Sequence, residues 1–158
     1  KTTSCSDSIR SWLSEQGIEE SRDSLIEGGR ELRRRGGAGI LAEMLLESLN
    51  GEDAVIDSIR TPGEVEALRK RSDFVLIEIR AGLDSRWKRS QDRGRIGDPT
   101  EKERFLAQEE AEEVASDEAG QALNATAALS DLVIINEGGI EELYSDLEDL
   151  WPTLTKLA

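Results

Sequence analysis

Two groups of residues have the types and spacing to act on a phosphorylated ligand. The first is Val55-Ile56-Asp57-Ser58-Ile59-Arg60, where an acidic residue closes a short apolar, β-branched run and an arginine follows. In open α/β sheets, ligands bind outside the carboxyl ends of the strands. At such a place Asp57 could hold Mg2+ through water, and Arg60 could clasp a phosphate with two parallel N–H bonds. The structural alternative has Asp57 capping the next turn and Arg60 solvated. The second group is Arg86-x-x-Arg89-x-x-x-Arg93-x-Arg95. Arginines at i, i+3 and i+7 share a helix face, so several guanidinium groups could be aimed at one ligand. Phosphoryl transfer asks for little covalent work by the protein and relies on such cations to stabilise the equatorial charge. The alternative is a solvated face paired with the abundant glutamates.

A third cluster is Ser6-Asp7-Ser8-Ile9-Arg10 with Arg22, Arg30 and Arg33, in which Arg10 could contact an acceptor phosphate near the open end of a sheet. Cys5 has no evident base nearby and reads as a small buried hydrophobe. Trp12, Trp87 and Trp151 read as core or interface residues rather than stacking platforms. The chain contains no histidine, which excludes Ser-His-Asp and Cys-His nucleophilic sites and a His-ligated zinc. A formal charge of −14 argues against broad nucleic-acid binding. The charge is uneven: acidic residues crowd 101–118 and 137–149, while Arg86, Lys88, Arg89, Arg93 and Arg95 form a basic island.

These residues need elements to hold them. Ala54-Val55-Ile56-Asp57, Phe74-Val75-Leu76-Ile77-Glu78-Ile79 and Leu132-Val133-Ile134-Ile135 read as buried strands, and continuous apolar runs suit parallel strands covered on both faces. Thr2-Thr3-Ser4-Cys5 reads as a shorter one. Helical patterns lie between them, so the alternation is βαβ. Asp7 is expected to cap a helix carrying Ile9, Trp12 and Leu13. Leu25 to Leu49 has helical periodicity, interrupted at Gly36-Gly37. Thr61-Pro62-Gly63-Glu64 is a capping box with proline at the first helical position, opening a helix to about Arg71. Asp98-Pro99-Thr100-Glu101 precedes a long acidic helix, and Ile140, Leu143, Leu147, Leu150 and Trp151 mark a final one.

A length of 158 residues suits one domain. No stretch approaches the roughly 20 apolar residues that span a bilayer, and no apolar run with a small-residue cleavage site opens the sequence, so a secretory signal is not expected. One cysteine cannot form an internal disulfide, which fits a reducing compartment, with the cytoplasm expected.

In order, the motifs resemble the dephospho-CoA kinase and adenylate-kinase-like branch of P-loop kinases. A Ser-x-Ser-Asp-x-x-Arg segment opens that group's acceptor-binding helix, as Ser4 to Arg10 does here. Its Asp-Gly-Ile-Arg segment, followed by Pro and Glu, resembles Asp57 to Glu64 except at Ser58. Its lid resembles Arg86 to Arg95 with Gly97-Asp98-Pro99, and its closing segment resembles Asn136 to Leu143. The resemblance implies a three-layer α/β/α fold with a mainly parallel sheet. Acceptor-binding helices would cover 1–50, core strands 51–80, a lid-like segment 86–118, and a closing strand and helix 119–158. It further implies ATP and Mg2+ as cofactors and a small phosphate acceptor as partner. Asp7, Arg10, Arg33 and Arg60 would hold that acceptor, Asp57 would assist Mg2+, and Arg89 and Arg93 would clamp the migrating phosphate.

The phosphate-binding loop Gly-x-x-x-x-Gly-Lys-Ser/Thr occurs nowhere in the chain. Lys1-Thr2-Thr3 imitates its tail, but Ser4 to Arg10 aligns better after the family's second strand. Without the central strand that precedes the loop, Val55–Asp57 and Phe74–Ile79 would have unsatisfied edges. The expectation is therefore a longer parent chain, with about 25–35 further residues supplying strand, loop and helix. The leading reading is an ATP-dependent kinase of a small phosphorylated or nucleoside acceptor. The others are a non-catalytic ligand-binding or regulatory descendant, and an acidic domain for a basic protein partner.

Overall fold

Ser4 shows how closely sequence and local structure are coupled. It ends a strand and caps the helix that follows, because its extended backbone (φ −135°, ψ 143°) lets its hydroxyl accept the Ser6 N–H. The computed structural model describes residues 1–94, 98–114 and 119–157. The described chain is mixed α/β. Its elements are β1 (Thr2–Ser4), α1 (Cys5–Glu15), α2 (Arg22–Gly36), α3 (Ile40–Leu49), β2 (Val55–Asp57), α4 (Pro62–Leu68), β3 (Ile77–Arg80), α5 (Leu83–Arg93), α6 (Lys102–Glu113), α7 (Leu123–Ala127), β4 (Leu132–Ile135) and α8 (Ile140–Leu157). They form two compact units, Lys1–Lys70 with Ala111–Ala128, and Arg71–Glu110 with Leu129–Ala158.

In the first unit β1 and β2 pair in parallel, Thr2 opposite Val55 and Ser4 opposite Asp57. Helices α1, α2 and α3 pack on one another around Ile9, Leu13, Leu32, Leu41 and Leu45. Each of these buried aliphatic side chains contributes about 1.5–3 kcal/mol relative to exposure. Gly28 lets α2 approach α1 closely, since a Cβ there would lie 2.9 Å from Ile9 Cγ2. The expected capping box at α4 is present: Thr61 accepts the Glu64 N–H, and the Glu64 carboxylate accepts from the Thr61 backbone. The helix stops at Leu68 rather than running to Arg71.

In the second unit β3 and β4 pair in parallel from Ile77 opposite Leu132 to Arg80 opposite Ile135. The Asp131 carboxylate accepts the Leu76 N–H at 2.8 Å, which ends the ladder and holds the chain before β3. Trp87 of α5 stacks obliquely on Phe105 of α6, with ring centroids 5.3 Å apart. Tyr144 and Trp151 of α8 are exposed.

The strands depart from expectation. Those read as buried on both faces are half open: Val55, Ile79 and Ile135 are 69%, 52% and 57% exposed. Each sheet has two strands among the described residues. In β4 burial alternates, with Ile134 covered between exposed Val133 and Ile135, so an apolar run here marks one covered face. Strand β3 also begins at Ile77, three residues after the expected Phe74. Among the described residues, no helix is long and apolar enough to cross a membrane.

Candidate functional site

The register of the first sheet decides where its polar residues meet. Ser4 and Asp57 are paired, and both strands run the same way, so the start of α1 and the 58–61 loop leave from one carboxyl edge. Asp57 is exposed there and accepts the Ser58 hydroxyl at 3.0 Å. Ser58 has φ 59°, the left-handed region that costs a residue with a Cβ about 1–2 kcal/mol. A glycine would adopt this conformation without that penalty.

Asp7 proves to be the N3 residue of α1, and Ser4 is the cap that Asp7 was expected to be. A serine ending a strand satisfies the first-turn amides directly, which leaves Asp7 to reach back. Its carboxylate accepts the Ser4 N–H at 2.8 Å, the Thr3 hydroxyl at 3.0 Å and Arg10 Nη1 at 3.0 Å. Partial burial opposes ionisation, but these donors outweigh it and hold the carboxyl below its ordinary range. Arg10 also donates to Glu20 at 3.1 Å and to Ser6 at 2.8 Å. Burial works against its charge, and Glu20 and Asp7 more than compensate, strengthening its hold on the proton.

Arg33 lies inside the unit. It is 6% exposed, and its Nη2 donates at 3.0 Å to Glu64, which is 0% exposed. The second oxygen of Glu64 accepts the backbone N–H groups of Arg60 at 2.7 Å and Thr61 at 3.2 Å. One buried carboxylate thus ties α2 to the loop carrying Arg60. Arg33 Nε has no hydrogen-bond partner among the described residues. Arg33 therefore faces an internal carboxylate, which makes it a support for the loop rather than a surface clasp. Cys5 is buried beside this pair. Burial first, then the nearby Glu64 charge, pushes its thiol up to about 12, so it is not a nucleophile at neutral pH.

Arg60 is fixed at both ends of its backbone, its N–H by Glu64 and its carbonyl by the Ala122 N–H at 2.9 Å. Its guanidinium donates at 3.0 Å to both Glu112 and Gln121. Arg22, the first residue of α2, donates to the other oxygen of Glu112 at 3.2 Å.

The second unit disperses its basic residues. Arg86 donates to the Glu109 carboxylate and to the Ala81 carbonyl at 2.6 Å. Arg89 donates to the Gly138 carbonyl at 2.9 Å and to Asn136 at 3.2 Å. Arg93 pairs with Asp98 at 2.9 Å. The shared face of α5 is thus divided among separate acceptors. Arg95 lies outside the described residues. Glu137 accepts the Ser85 hydroxyl and the Gly82 N–H, which hold its carboxyl below its ordinary range.

Asp7, Arg10, Arg33, Asp57 and Arg60 therefore belong to the first unit, and Arg89 and Arg93 to the second. No group of three metal-ligating side chains occurs among the described residues. Sequence reasoning missed Glu112 and Gln121 as partners of Arg60. It identified Glu64 only as a cap, because a glutamate at N3 gives no sign of complete burial.

No protein-family model matches the chain. It is 29% identical over 152 residues to a UPF0200 protein of Hyperthermus butylicus, across 94% of this chain and 78% of the relative. It is 31% identical over 124 residues to a UPF0200 protein of Staphylothermus marinus, across 77% of this chain and 62% of the relative. It is 30% identical over 149 residues to a UPF0200 protein of Methanosarcina mazei, across 91% of this chain and 76% of the relative.

Proposed function

The chain belongs to the UPF0200 family, and from that premise we propose that its first unit binds a small phosphorylated or nucleoside acceptor for ATP-dependent phosphoryl transfer. The parent architecture would be a three-layer α/β/α P-loop kinase-like fold of the dephospho-CoA kinase and adenylate-kinase-like type, acting in the cytoplasm. The observation that carries the reading is the pairing of Ser4 with Asp57. It brings the start of α1, Asp57 and the loop of Arg60 to one carboxyl edge of a parallel sheet.

In this reading Arg60 grips the acceptor phosphate, preorganised by backbone bonds at both ends. Arg10 lies about one and a half turns into α1 from the same edge, with Asp7 orienting its guanidinium. Arg33 acts through Glu64, holding the loop rather than the ligand. A single exposed carboxylate suits Mg2+ only when phosphate oxygens and water complete the shell, so Asp57 fits as an auxiliary partner. Bound there, the ion would neutralise charge on the transferring phosphate. The residues present do not fit the phosphates of ATP, since no Gly-x-x-x-x-Gly-Lys-Ser/Thr cradle occurs in the sequence. The 158 residues are thus assigned the acceptor side, with Arg89 and Arg93 proposed to meet the migrating phosphate.

Ser58 in the left-handed position, in place of the glycine of the resembling family, favours a second reading: a non-catalytic ligand-binding or regulatory module that keeps the acceptor site. Calorimetric titration with a nucleoside monophosphate and with dephospho-CoA tests the binding shared by both readings. Saturable binding of one of them is expected, and absence of binding to either would sink both. Steady-state assays on a chain that includes a phosphate-binding loop separate them. Asp57→Ala and Arg93→Ala should each lower turnover, and unchanged turnover in both would remove the catalytic assignment.

A further inference from the structure

We infer that Arg22 and Arg60 form a two-arginine anion seat for a phosphate group, and that Glu112 is the protein's own occupant of that seat. The inference rests on the reading of Arg60 as an acceptor ligand and adds both a second ligand and a regulatory contact. Glu112 presents Oε1 to Arg22 Nη2 at 3.2 Å and Oε2 to Arg60 Nη1 at 3.0 Å. One carboxylate thus bridges cations from two elements, as a phosphate bridges paired guanidinium groups. A phosphomonoester carries more charge than a carboxylate and has three acceptor oxygens, so it competes well for the same donors.

Three features make the occupant displaceable. Glu112 lies in the last turn of α6, which has no basic residue there, and Glu109, Glu110 and Glu113 are its neighbours. A carboxylate at the negative end of the helix dipole among like charges is disfavoured by its own helix, so the arginines alone favour its placement. Next, Arg60 does not depend on Glu112 for its position, because Glu64 and Ala122 fix its backbone. Finally, the Arg22, Arg60 and Glu112 side chains remain 39%, 34% and 27% exposed, within reach of a ligand from solvent. A protein of formal charge −14 repels a free dianion, so entry needs two cations together and exchange for a charge already present.

The test is a 31P NMR titration of the 158-residue chain with inorganic phosphate. Glu112→Gln keeps the side-chain shape and removes the competing charge, and should bind phosphate roughly tenfold tighter than the parent, the scale of two partly exposed ion pairs. Adding Arg22→Gln or Arg60→Gln to that variant should erase most of the gain. Glu112→Asp, one methylene shorter, should give an intermediate gain and repeats the test if the glutamine variant folds poorly. Equal affinity in parent and Glu112 variants would overturn the inference, as would a gain that survives loss of either arginine. If Glu112→Gln shows the gain but a chain that includes a phosphate-binding loop transfers no phosphoryl group, the seat stands and the catalytic reading falls. A chain that transfers without the gain keeps catalysis and loses the seat.

Discussion

One buried arginine pair of the first unit contrasts with exposed pairs of the second. In the first, the Arg33 side chain is 4% exposed against a fully buried Glu64, whose other oxygen fixes the loop of Arg60. In the second, the Arg80 and Arg93 side chains are 59% and 49% exposed, paired with Glu78 and Asp98. A buried pair is costly to break, because the survivor is left charged and dry, whereas an exposed pair contributes about 0–1 kcal/mol. The contrast separates duties that one sequence pattern blends. Arg33 supports, Arg60 is supported with its side chain 34% exposed, and Arg93 can change partner at little cost.

The comparison breaks most readily at Glu64. Glu64→Ala strips Arg33 and two backbone amides of their acceptor and should cost about 3–5 kcal/mol in urea unfolding. A loss below about 1 kcal/mol would mean that the buried pair does not anchor the unit. Ser58→Gly should act in the opposite direction, stabilising the first unit by about 1 kcal/mol through relief of the left-handed strain. A destabilised glycine variant would refute the backbone argument. Asp7→Asn sharpens the contrast through pH. The folded carboxyl of Asp7 is depressed, so its contribution is present above roughly pH 4, its unfolded value, and is lost as pH falls through the lowered folded value. Parent and Asp7→Asn stabilities should therefore differ at neutral pH and converge in acid, and a pH-independent difference would contradict the assignment. Smallest of all, Arg93→Ala should change unfolding stability by no more than about 0.5 kcal/mol, whereas a large loss would place Arg93 with Arg33.

Much of the architecture was legible wherever local chemistry decides it. Thr61-Pro62-Gly63-Glu64 names its own helix start, Gly36-Gly37 marks the break between α2 and α3, and Leu132–Ile135 coincides with β4. Features decided by distant partners were not legible. Arg33 read as an acceptor ligand and Glu64 as a cap, and nothing in the sequence joined them, since their pairing spans two helices. Asp7 was expected as the cap that Ser4 proves to be, because either side chain can cap a helix and the end of β1 chooses between them. Burial of the strands was overestimated, because an apolar run does not reveal how many faces are covered. Within the proposed site, Asp57 and Arg60 stand out in the sequence by type and spacing, but Glu112 lies in an acidic tract where no glutamate stands out from its neighbours.

The central claim is that the carboxyl edge of the first sheet binds a phosphorylated acceptor through Arg60. The most direct test is calorimetric titration of a nucleoside monophosphate or dephospho-CoA, whichever the parent binds, into the parent, Arg60→Ala and Arg93→Ala chains. Loss of one charge-assisted contact predicts roughly ten- to hundredfold weaker binding for Arg60→Ala and no change for Arg93→Ala. Equal affinity in the parent and Arg60→Ala would contradict the account.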